Sequence, residues 1–362
     1  MRESHDVADE QRAGSEVHLD EWVSPDATDD RGLLRAGKIL EWMDVAGVLA
    51  AARHCRSAVV TASIDGTELR EPVRLGAHVA MTARVAYTSA RSIGVSVSLA
   101  HREAGGSAQR PCVEAYMTFV APDAGGQAMA IPQFMPQTAS EQARFDEGKL
   151  RREFRRKLAA GEIPIRADDD PLSGLAEEHR PAFVRELLKF LPRTLRMPWE
   201  RRDPLQPRAR HRSYMHKIEP VRAGKLNFHG TLYGGTLMRW IETTAALSAR
   251  AHVEGAAMRL AGLHGLNFIR PASRDRFVHI RSVVVHTAGD SLTVLVNVQS
   301  EDPLAGTFQE TLRAFLTYVP IDASVRISPI ECVSDEERTL HAEVAQRLAL
   351  QRSLSGRLER AA

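Results

Sequence analysis

Two long segments of the chain repeat apolar or small residues at every third or fourth position. They lie at residues 32–54 and 230–252, and each is bracketed by glycine and histidine. A spacing of i, i+3, i+4 predicts an amphipathic helix in each segment. The predicted buried stripes are Ile39, Leu40, Met43, Gly47 and Ala50 in the first helix, and Leu237, Met238, Ile241, Ala245 and Ser248 in the second.

A different pattern surrounds each helix, with β-branched residues that alternate with polar ones. One short run precedes each helix and four follow it, separated by glycine-containing turn signals. Such runs predict β-strands. The strands are expected at 16–23, 58–64, 78–87, 92–100 and 112–120, and again at 212–218, 259–267, 277–286, 291–299 and 309–319. One long helix beside an antiparallel meander predicts an α+β fold in which the sheet wraps the helix.

The two halves are copies of each other. Gly32, Gly37, Trp42 and His54 recur 198 positions later, and after one inserted residue the match continues at an offset of 199. One register held across so many elements indicates a tandem duplication. We place copy one at residues 17–123 and copy two at residues 212–322.

The remaining segments are predicted from composition. Residues 1–16 are expected to be disordered, 124–211 to form a charged and partly helical linker, and 323–362 to form a helical tail that opens on the capping pattern Ser334-x-x-Glu337. Four arginines of the linker are expected to form a solvated basic helical face; they are Arg151, Arg152, Arg155 and Arg156. His54 and His252 end their helices, where a protonated ring would suit the helix dipole.

Composition narrows the class of protein. The chain has 362 residues, a net charge of +2 and three widely spaced cysteines. The near-neutral balance argues against nucleic-acid binding, and the cysteine spacing fits neither a disulfide framework nor a metal cluster. The sequence offers no secretory signal and no long apolar run, so we expect a cytoplasmic protein that does not insert into membranes.

The segment Asn227-Phe-His-Gly230-Thr-Leu-Tyr-Gly234-Gly235, followed by Glu242, resembles the N-x-x-G-x-x-[FYH]-G-G-x6-[DE] signature of acyl-CoA thioesterases. The copy-one segments around Asp44, Thr61 and Arg91 are similar to that family as well. The resemblance spans both copies. It implies a tandem double hot-dog fold, with two long helices that are each wrapped by an antiparallel sheet.

The resemblance also implies a chemistry. The family hydrolyses fatty acyl-CoA to the free acid and coenzyme A, at sites where two hot-dog units meet and an Asn from one unit faces an acid from the other. It implies no metal and no cofactor, because coenzyme A is part of the substrate. It further implies a homotrimer of double hot-dog chains. The family's contact region for the coenzyme A arm corresponds to Thr88, Ser89 and Arg91.

The residue types fit that chemistry on physical grounds. A thioester needs a polarising pocket for its carbonyl oxygen and a base for water, and the N–H groups at a helix start can supply the pocket. Gly234 and Gly235 allow a close approach to the backbone. An acid follows seven residues later in each copy, since 242−235 and 44−37 both equal 7.

The copies differ in ways that favour one working site. Asn227 is matched by Asp29, which has no amide donor, and Gly234 is matched by Ala36. We therefore predict one site per chain, with Asp44 as general base or as nucleophile, Asn227 orienting the water or the carbonyl, and the Gly235 N–H in the oxyanion pocket. Asp29 and Glu242 would form an inactive pseudo-site.

Two alternatives stay open at this stage. One is a hot-dog hydratase or dehydratase, for which His229 is the nearby candidate. The other is a silent protein that binds acyl-CoA for regulation, in which the changes in copy one have removed catalysis. The preferred acyl chain length depends on the depth of the tunnel and is not encoded in the motif.

Overall fold

The computed structural model describes residues 16–123, 125–159, 208–332 and 334–361. The predicted disorder of residues 1–16 (apart from Glu16) and the middle of the predicted linker, 160–207, lie outside the described residues. In chain order the elements are β1 Glu16–Trp22, α1 Ala36–Cys55, β2 Val60–Ile64, β3 Thr67–Leu69, β4 His78–Thr88, β5 Ile93–Arg102, β6 Arg110–Val120 and α2 Ala139–Ala159. They continue with β7 Arg208–Ala209, β8 Met215–Pro220, α3 Gly234–His252, β9 Met258–Phe268, β10 Phe277–Ala288, β11 Ser291–Asp302, β12 Thr307–Pro320, β13 Ile330–Glu331 and α4 Asp335–Ala361.

The large strands form one antiparallel sheet, in which the equivalent strands of the two copies follow in reverse order. Its order is β1-β4-β5-β6-β2-β9-β12-β11-β10-β8, with β3 pairing to β6 and β9, and the halves join where Ser63 and Ile64 pair with Asn267 and Leu266. Every helix and strand predicted for the two copies is present. The fold is the expected tandem double hot-dog.

The concave face of the sheet holds α1 and α3. Small residues let each helix sit against the strands, and at Gly47 an added Cβ would lie 2.6 Å from Cζ of Phe119. The surrounding core is apolar and almost fully buried, with Leu40, Met43 and Ile241 no more than 1% exposed. Burial of this kind is what holds the layers together.

The first turns of α1 and α3 pack against each other in opposite directions. An added Cβ on Gly37 would lie 3.1 Å from the Arg239 Cα, and one on Gly235 would lie 3.2 Å from the Glu41 Cα. Such short distances leave little room for a side chain at either glycine. The close approach brings the second turn of each helix to the start of the other.

The outer faces of the sheet carry α2 and α4, which are also related to each other. Thr138 and Ser334 cap them through the N–H groups of Glu141 and Glu337, and both pairs differ by 196 positions. Phe145 and His341 sit on equivalent strand residues in turn, through ring contacts to Tyr87 and His286. The relation between the copies thus extends to the helices beyond residues 123 and 322, while the boundaries of the domains stay a prediction.

The expectation of a solvated basic face on the linker is wrong for two of its arginines. Arg155 Nη1 lies 2.7 Å from Asp65 Oδ1, and Arg151 Nη1 lies 3.9 Å from Asp65 Oδ2. Both guanidinium groups also lie over the ring of Tyr116, at 5.4 and 5.9 Å. They bind α2 to the sheet because Asp65 presents a buried carboxylate there.

The two helix-ending histidines hold the chain where it returns across the sheet. His54 Nε2 lies 2.9 Å from the Pro132 carbonyl oxygen, and His252 Nε2 lies 2.7 Å from that of Ser328. Burial lowers the pKa of His54, so its ring is neutral at pH 7 and the expected charge–dipole contact is wrong for this residue.

Candidate functional site

Asp44 lies at the junction of the two copies, on the third turn of α1. Its side chain is buried, and its Oδ1 accepts a hydrogen bond of 2.6 Å from the Thr61 hydroxyl on β2. Its Oδ2 lies beside Gly234, where an added Cβ would be only 3.2 Å away. The structure therefore places this copy-one acid against the first turn of the copy-two helix.

The carboxyl group of Asp44 holds its proton more tightly than an exposed aspartic acid. Burial raises its pKa to about 6, while the Thr61 hydroxyl and the Gly235 backbone N–H oppose the shift and the charge of Glu41 adds to it. Among the described residues, Asp44 Oδ2 has no full hydrogen bond. A group with this pKa is ionised at neutral pH and basic enough to take a proton from water.

Thr61 is a site residue to which the sequence analysis assigned no role, although the segment around it resembles the thioesterase family. A β-bulge at residue 62 separates its pairing with Phe119 from the pairing of Ser63 with Thr118. Thr61 faces Asp44, whereas Ser63 lies 3.4 Å from Arg155 on the outer side. The offset of 199 matches Thr61 with Leu260, and this loss of a hydroxyl between the copies was the signal available in the sequence.

Asn227 caps the turn that leads into α3. Its Oδ1 accepts hydrogen bonds from the N–H groups of His229 and Thr231 and from the Thr231 hydroxyl, at 2.9 to 3.1 Å. Within the described part of the chain its Nδ2 has no partner, and no hydrogen bond joins it to Asp44. The turn needs Gly230, whose φ of 70° lies in the left-handed region.

Asp29 occupies the equivalent turn in copy one. Its Oδ1 accepts from the N–H groups of Arg31 and Leu33, and its Oδ2 pairs with the Arg31 guanidinium at 2.8 Å. The carboxylate is thus engaged by its own turn and offers no N–H donor.

Glu242 is the pseudo-symmetric partner of Asp44. An added Cβ on Gly37 would lie 3.0 Å from Glu242 Oε2, so this acid meets the start of α1. Burial raises its pKa to about 7, against the opposing effects of the Gly37 N–H, Arg35 and Tyr318. The hydroxyl of Tyr318 also donates to the Glu242 carbonyl oxygen at 3.2 Å. Both junctions therefore hold a buried acid at a helix start, but only that of Asp44 has a threonine hydroxyl beside the acid.

The three residues predicted to contact the coenzyme A arm lie around the β4–β5 turn. Thr88 is buried and its Oγ1 accepts the N–H of Phe134 at 2.8 Å. Ser89 Oγ lies 2.7 Å from Ser92 Oγ. Arg91 is exposed, so its guanidinium is the group of this trio that a ligand can reach. The role assigned to the trio stays a prediction.

His229, the residue required by the dehydratase alternative, lies in the Asn227 turn. Its backbone N–H donates to Asn227, and its ring makes no hydrogen bond to Asp44 or Glu242. Within the described ranges of the chain, the geometry therefore gives no pairing of histidine and acid at either junction.

Residues 32–107 and 229–307 match the family model described as thioesterase superfamily. Each copy therefore contains a segment that matches the thioesterase superfamily. An acetyl-coenzyme A thioesterase from Mus musculus is 26% identical over 347 residues, which cover 92% of this chain and 57% of the mouse protein. A cytosolic acyl coenzyme A thioester hydrolase from Homo sapiens is 31% identical over 137 residues, or 37% of this chain and 35% of the human protein.

The chain spans little more than half the length of the mouse relative. Among solved structures, a protein described as an oleoyl thioesterase from Lactobacillus plantarum aligns with a TM-score of 0.51 at 9% identity, over 86% of this chain and 99% of that one. This likeness supports the fold. None of the helices that the structure describes has the length and apolar character of a membrane span.

Proposed function

We propose that the protein hydrolyses acyl-CoA thioesters to a free acid and coenzyme A. The observation that carries the proposal is the buried Asp44 carboxylate, held by Thr61 and placed against the Gly234 end of α3. The names of the curated relatives support the same class of reaction.

The proposed reaction uses the two copies together. Asp44 takes a proton from water, which attacks the thioester carbonyl carbon, and the backbone N–H of Gly235 at the start of α3 stabilises the oxyanion. The tetrahedral intermediate then expels the coenzyme A thiolate, which the proton held by Asp44 neutralises. The free Nδ2 of Asn227 is a donor suited to orienting the water or the carbonyl oxygen.

A second route fits the same residues. In it Asp44 attacks the carbonyl carbon directly and forms an anhydride that water then opens. Single turnover in water labelled with oxygen-18 detects the second route where water opens the anhydride at the aspartyl carbon. Direct attack by water places the label in the released acid, whereas an anhydride opened at the aspartyl carbon places it in Asp44.

Substitutions at equivalent positions of the two copies test the function and the site. Thiol release would be measured from acetyl-, octanoyl- and palmitoyl-CoA. Asp44→Asn and Asn227→Ala should abolish turnover, while Glu242→Gln and Asp29→Asn, their partners in the pseudo-site, should leave at least half of it. Loss only in the second pair would assign the working site to Glu242. Retained acyl-CoA binding without turnover in the natural protein would instead favour a regulatory binder.

Three further parts of the proposal concern the protein's setting. We propose a homotrimer, for which light scattering should give about 120 kDa from three chains of 40.0 kDa. The side chain of Phe228, beside Asn227, is 98% exposed and is an apolar group that a neighbouring chain would cover.

We also propose that the enzyme needs no cofactor, so dialysis against a chelator should leave its turnover unchanged. A cytoplasmic location is consistent with its three cysteines, which form no disulfide in the structure.

A further inference from the structure

The segments that lead from the first strand to the helix in each copy carry opposite charge. We call residues 19–35 the copy-one entry segment and residues 217–233 the copy-two entry segment; they align without a gap, since 217−19 and 233−35 both equal 198. The copy-one segment has five acids and two bases, a net charge of −3, and the copy-two segment has three bases and one acid, a net charge of +2. The copy-two bases are Lys217, Arg222 and Lys225, which replace Leu19, Ser24 and Ala27.

The structure places each entry segment beside one of the two buried acids. The carbonyl oxygen of Lys225 accepts the N–H of Tyr233 at 2.9 Å, and Tyr233 directly precedes the Gly234 that contacts Asp44. In copy one, the carbonyl oxygen of Ala27 accepts the N–H of Arg35 at 3.0 Å in the same way. The basic segment therefore flanks the Asp44 site, and the acidic segment flanks the Glu242 site.

Two of the copy-two cations are available to a ligand. Lys217 pairs with Glu219 at 2.9 Å, but among the described residues no acid pairs with Arg222 or Lys225. Lys225 Nζ lies 4.5 Å from the ring of Trp240 on α3, which holds this cation close to the helix that begins at Gly234. Arg222 is exposed at the start of the short helix Ala223–Lys225.

Because the proposed substrate is itself charged, the opposite charges of the two entry segments should favour its binding at one junction over the other. Coenzyme A carries a phosphate monoester and a diphosphate, together about −4 at pH 7. Such a polyanion is drawn to a positive surface and repelled from a negative one, and charges within a Debye length of about 10 Å count most.

We propose that the copy-two entry segment, through Arg222 and Lys225, receives the phosphates of the coenzyme A moiety, and that the negative copy-one entry segment keeps acyl-CoA away from the Glu242 site. The inference rests on the proposed function and names the residues that choose between the two junctions. It is independent of the contact region predicted at Arg91.

The test compares a charged with an uncharged thioester. KM and kcat would be measured for octanoyl-CoA and for S-octanoyl-pantetheine, which lacks the phosphates, with Arg222→Gln, Lys225→Gln and the double variant. Each substitution should raise KM for octanoyl-CoA about fivefold at low ionic strength, and the effect should shrink below about twofold in 0.5 M salt. The kcat for either substrate, and the KM for the pantetheine ester, should stay within about twofold of the natural values.

Two controls keep the outcome specific. Arg31→Gln removes the same charge from the copy-one entry segment and should leave every constant unchanged, and Arg222→Lys should keep the natural KM. Equal effects on both substrates, equal effects of Arg31→Gln, or no effect in a folded double variant would overturn the inference. In those cases turnover of octanoyl-CoA itself persists, whereas failure of the proposed function would appear as no hydrolysis of either ester by the natural protein.

Discussion

Replacing Thr61 with valine should shift the pH profile of the proposed thioester hydrolysis. The substitution keeps the shape of the side chain but removes the 2.6 Å hydrogen bond to Asp44. A hydrogen bond to a charged group contributes about 1.5–3 kcal/mol, and each pKa unit corresponds to about 1.4 kcal/mol. The pKa of Asp44, raised by burial to about 6, should therefore rise further by about one to two units in the variant.

The consequence for the rate follows from the fraction of Asp44 that is ionised. At pH 7 a pKa of about 6 leaves about 90% of the carboxyl groups ionised, and a pKa of 8 would leave about 10%. We expect kcat/KM at pH 7 to fall by a factor between about two and ten, with recovery of most of the loss by pH 9. The assay is the pH profile of thiol release from octanoyl-CoA between pH 5 and 9.5.

A matched substitution separates this effect from simple loss of stability. Thr67 is also buried on a short strand, and its hydroxyl bonds the Asp65 carbonyl oxygen at 3.2 Å and makes no contact with Asp44. Thr67→Val should lower the melting temperature and leave the acid limb of the profile where it is. A Thr61→Val profile with its acid limb still near pH 6, or with the same loss at every pH, would refute the assigned contact.

Four other substitutions, with one control, test particular contacts. Asp44→Asn and Glu242→Gln should each stabilise the fold at pH 8 by up to about 3 kcal/mol in urea unfolding, because the native pKa values of about 6 and 7 exceed the reference values of 3.8 and 4.5. The folded protein holds these protons more tightly than the unfolded chain, so the gain in stability should vanish as the pH falls to about 4. An equal gain at both pH values would contradict the burial argument. Gly234→Ala would place a Cβ 3.2 Å from Asp44 Oδ2 and should lower kcat/KM up to about 100-fold, whereas Gly224→Ala, where a Cβ meets nothing within 4 Å, should have no effect; equal activity of the two variants would show that the crowding at residue 234 does not matter. Asp65→Asn leaves two arginines facing Tyr116 without their carboxylate and should cost about 2 kcal/mol by urea unfolding, and an unchanged midpoint would mean that the ion pairs are solvent-screened.

Periodicity and self-comparison predicted nearly all of the fold. The helix and strand patterns are strong because each element buries one face, and the second copy provides an independent reading of every element. The equivalence of α2 and α4 was harder to detect from the sequence, because the offset between the copies falls by three residues after residue 123. Only isolated identities remain there, such as Glu147 with Glu343 and Arg151 with Arg347. Their role became visible through contacts to the sheet.

The candidate site was predictable in part. The acids and the glycine pair stand in a fixed order, which identified Asp44 and Gly234 from the sequence. Thr61 was missed because threonine is common in strands and nothing local marks a bulge that turns one hydroxyl inward. The sequence did not indicate the ion pairs of Asp65 either, because its partners lie about 90 residues away, on α2.

Fusion of the two units into one chain explains how their junctions came to differ. In a symmetric dimer of identical units a substitution alters both junctions, so the same residue must serve each of them. In this chain the position of Thr61 holds a leucine in copy two, and the position of Phe119 holds Tyr318, whose hydroxyl bonds back to the Glu242 helix. One junction can then keep the hydroxyl and open glycine that the proposed chemistry needs, while the other is free to change. At that other junction the helix-start contact and Tyr318 offset only part of the cost of burying Glu242, so the pKa of this acid stays raised and its replacement should stabilise the fold.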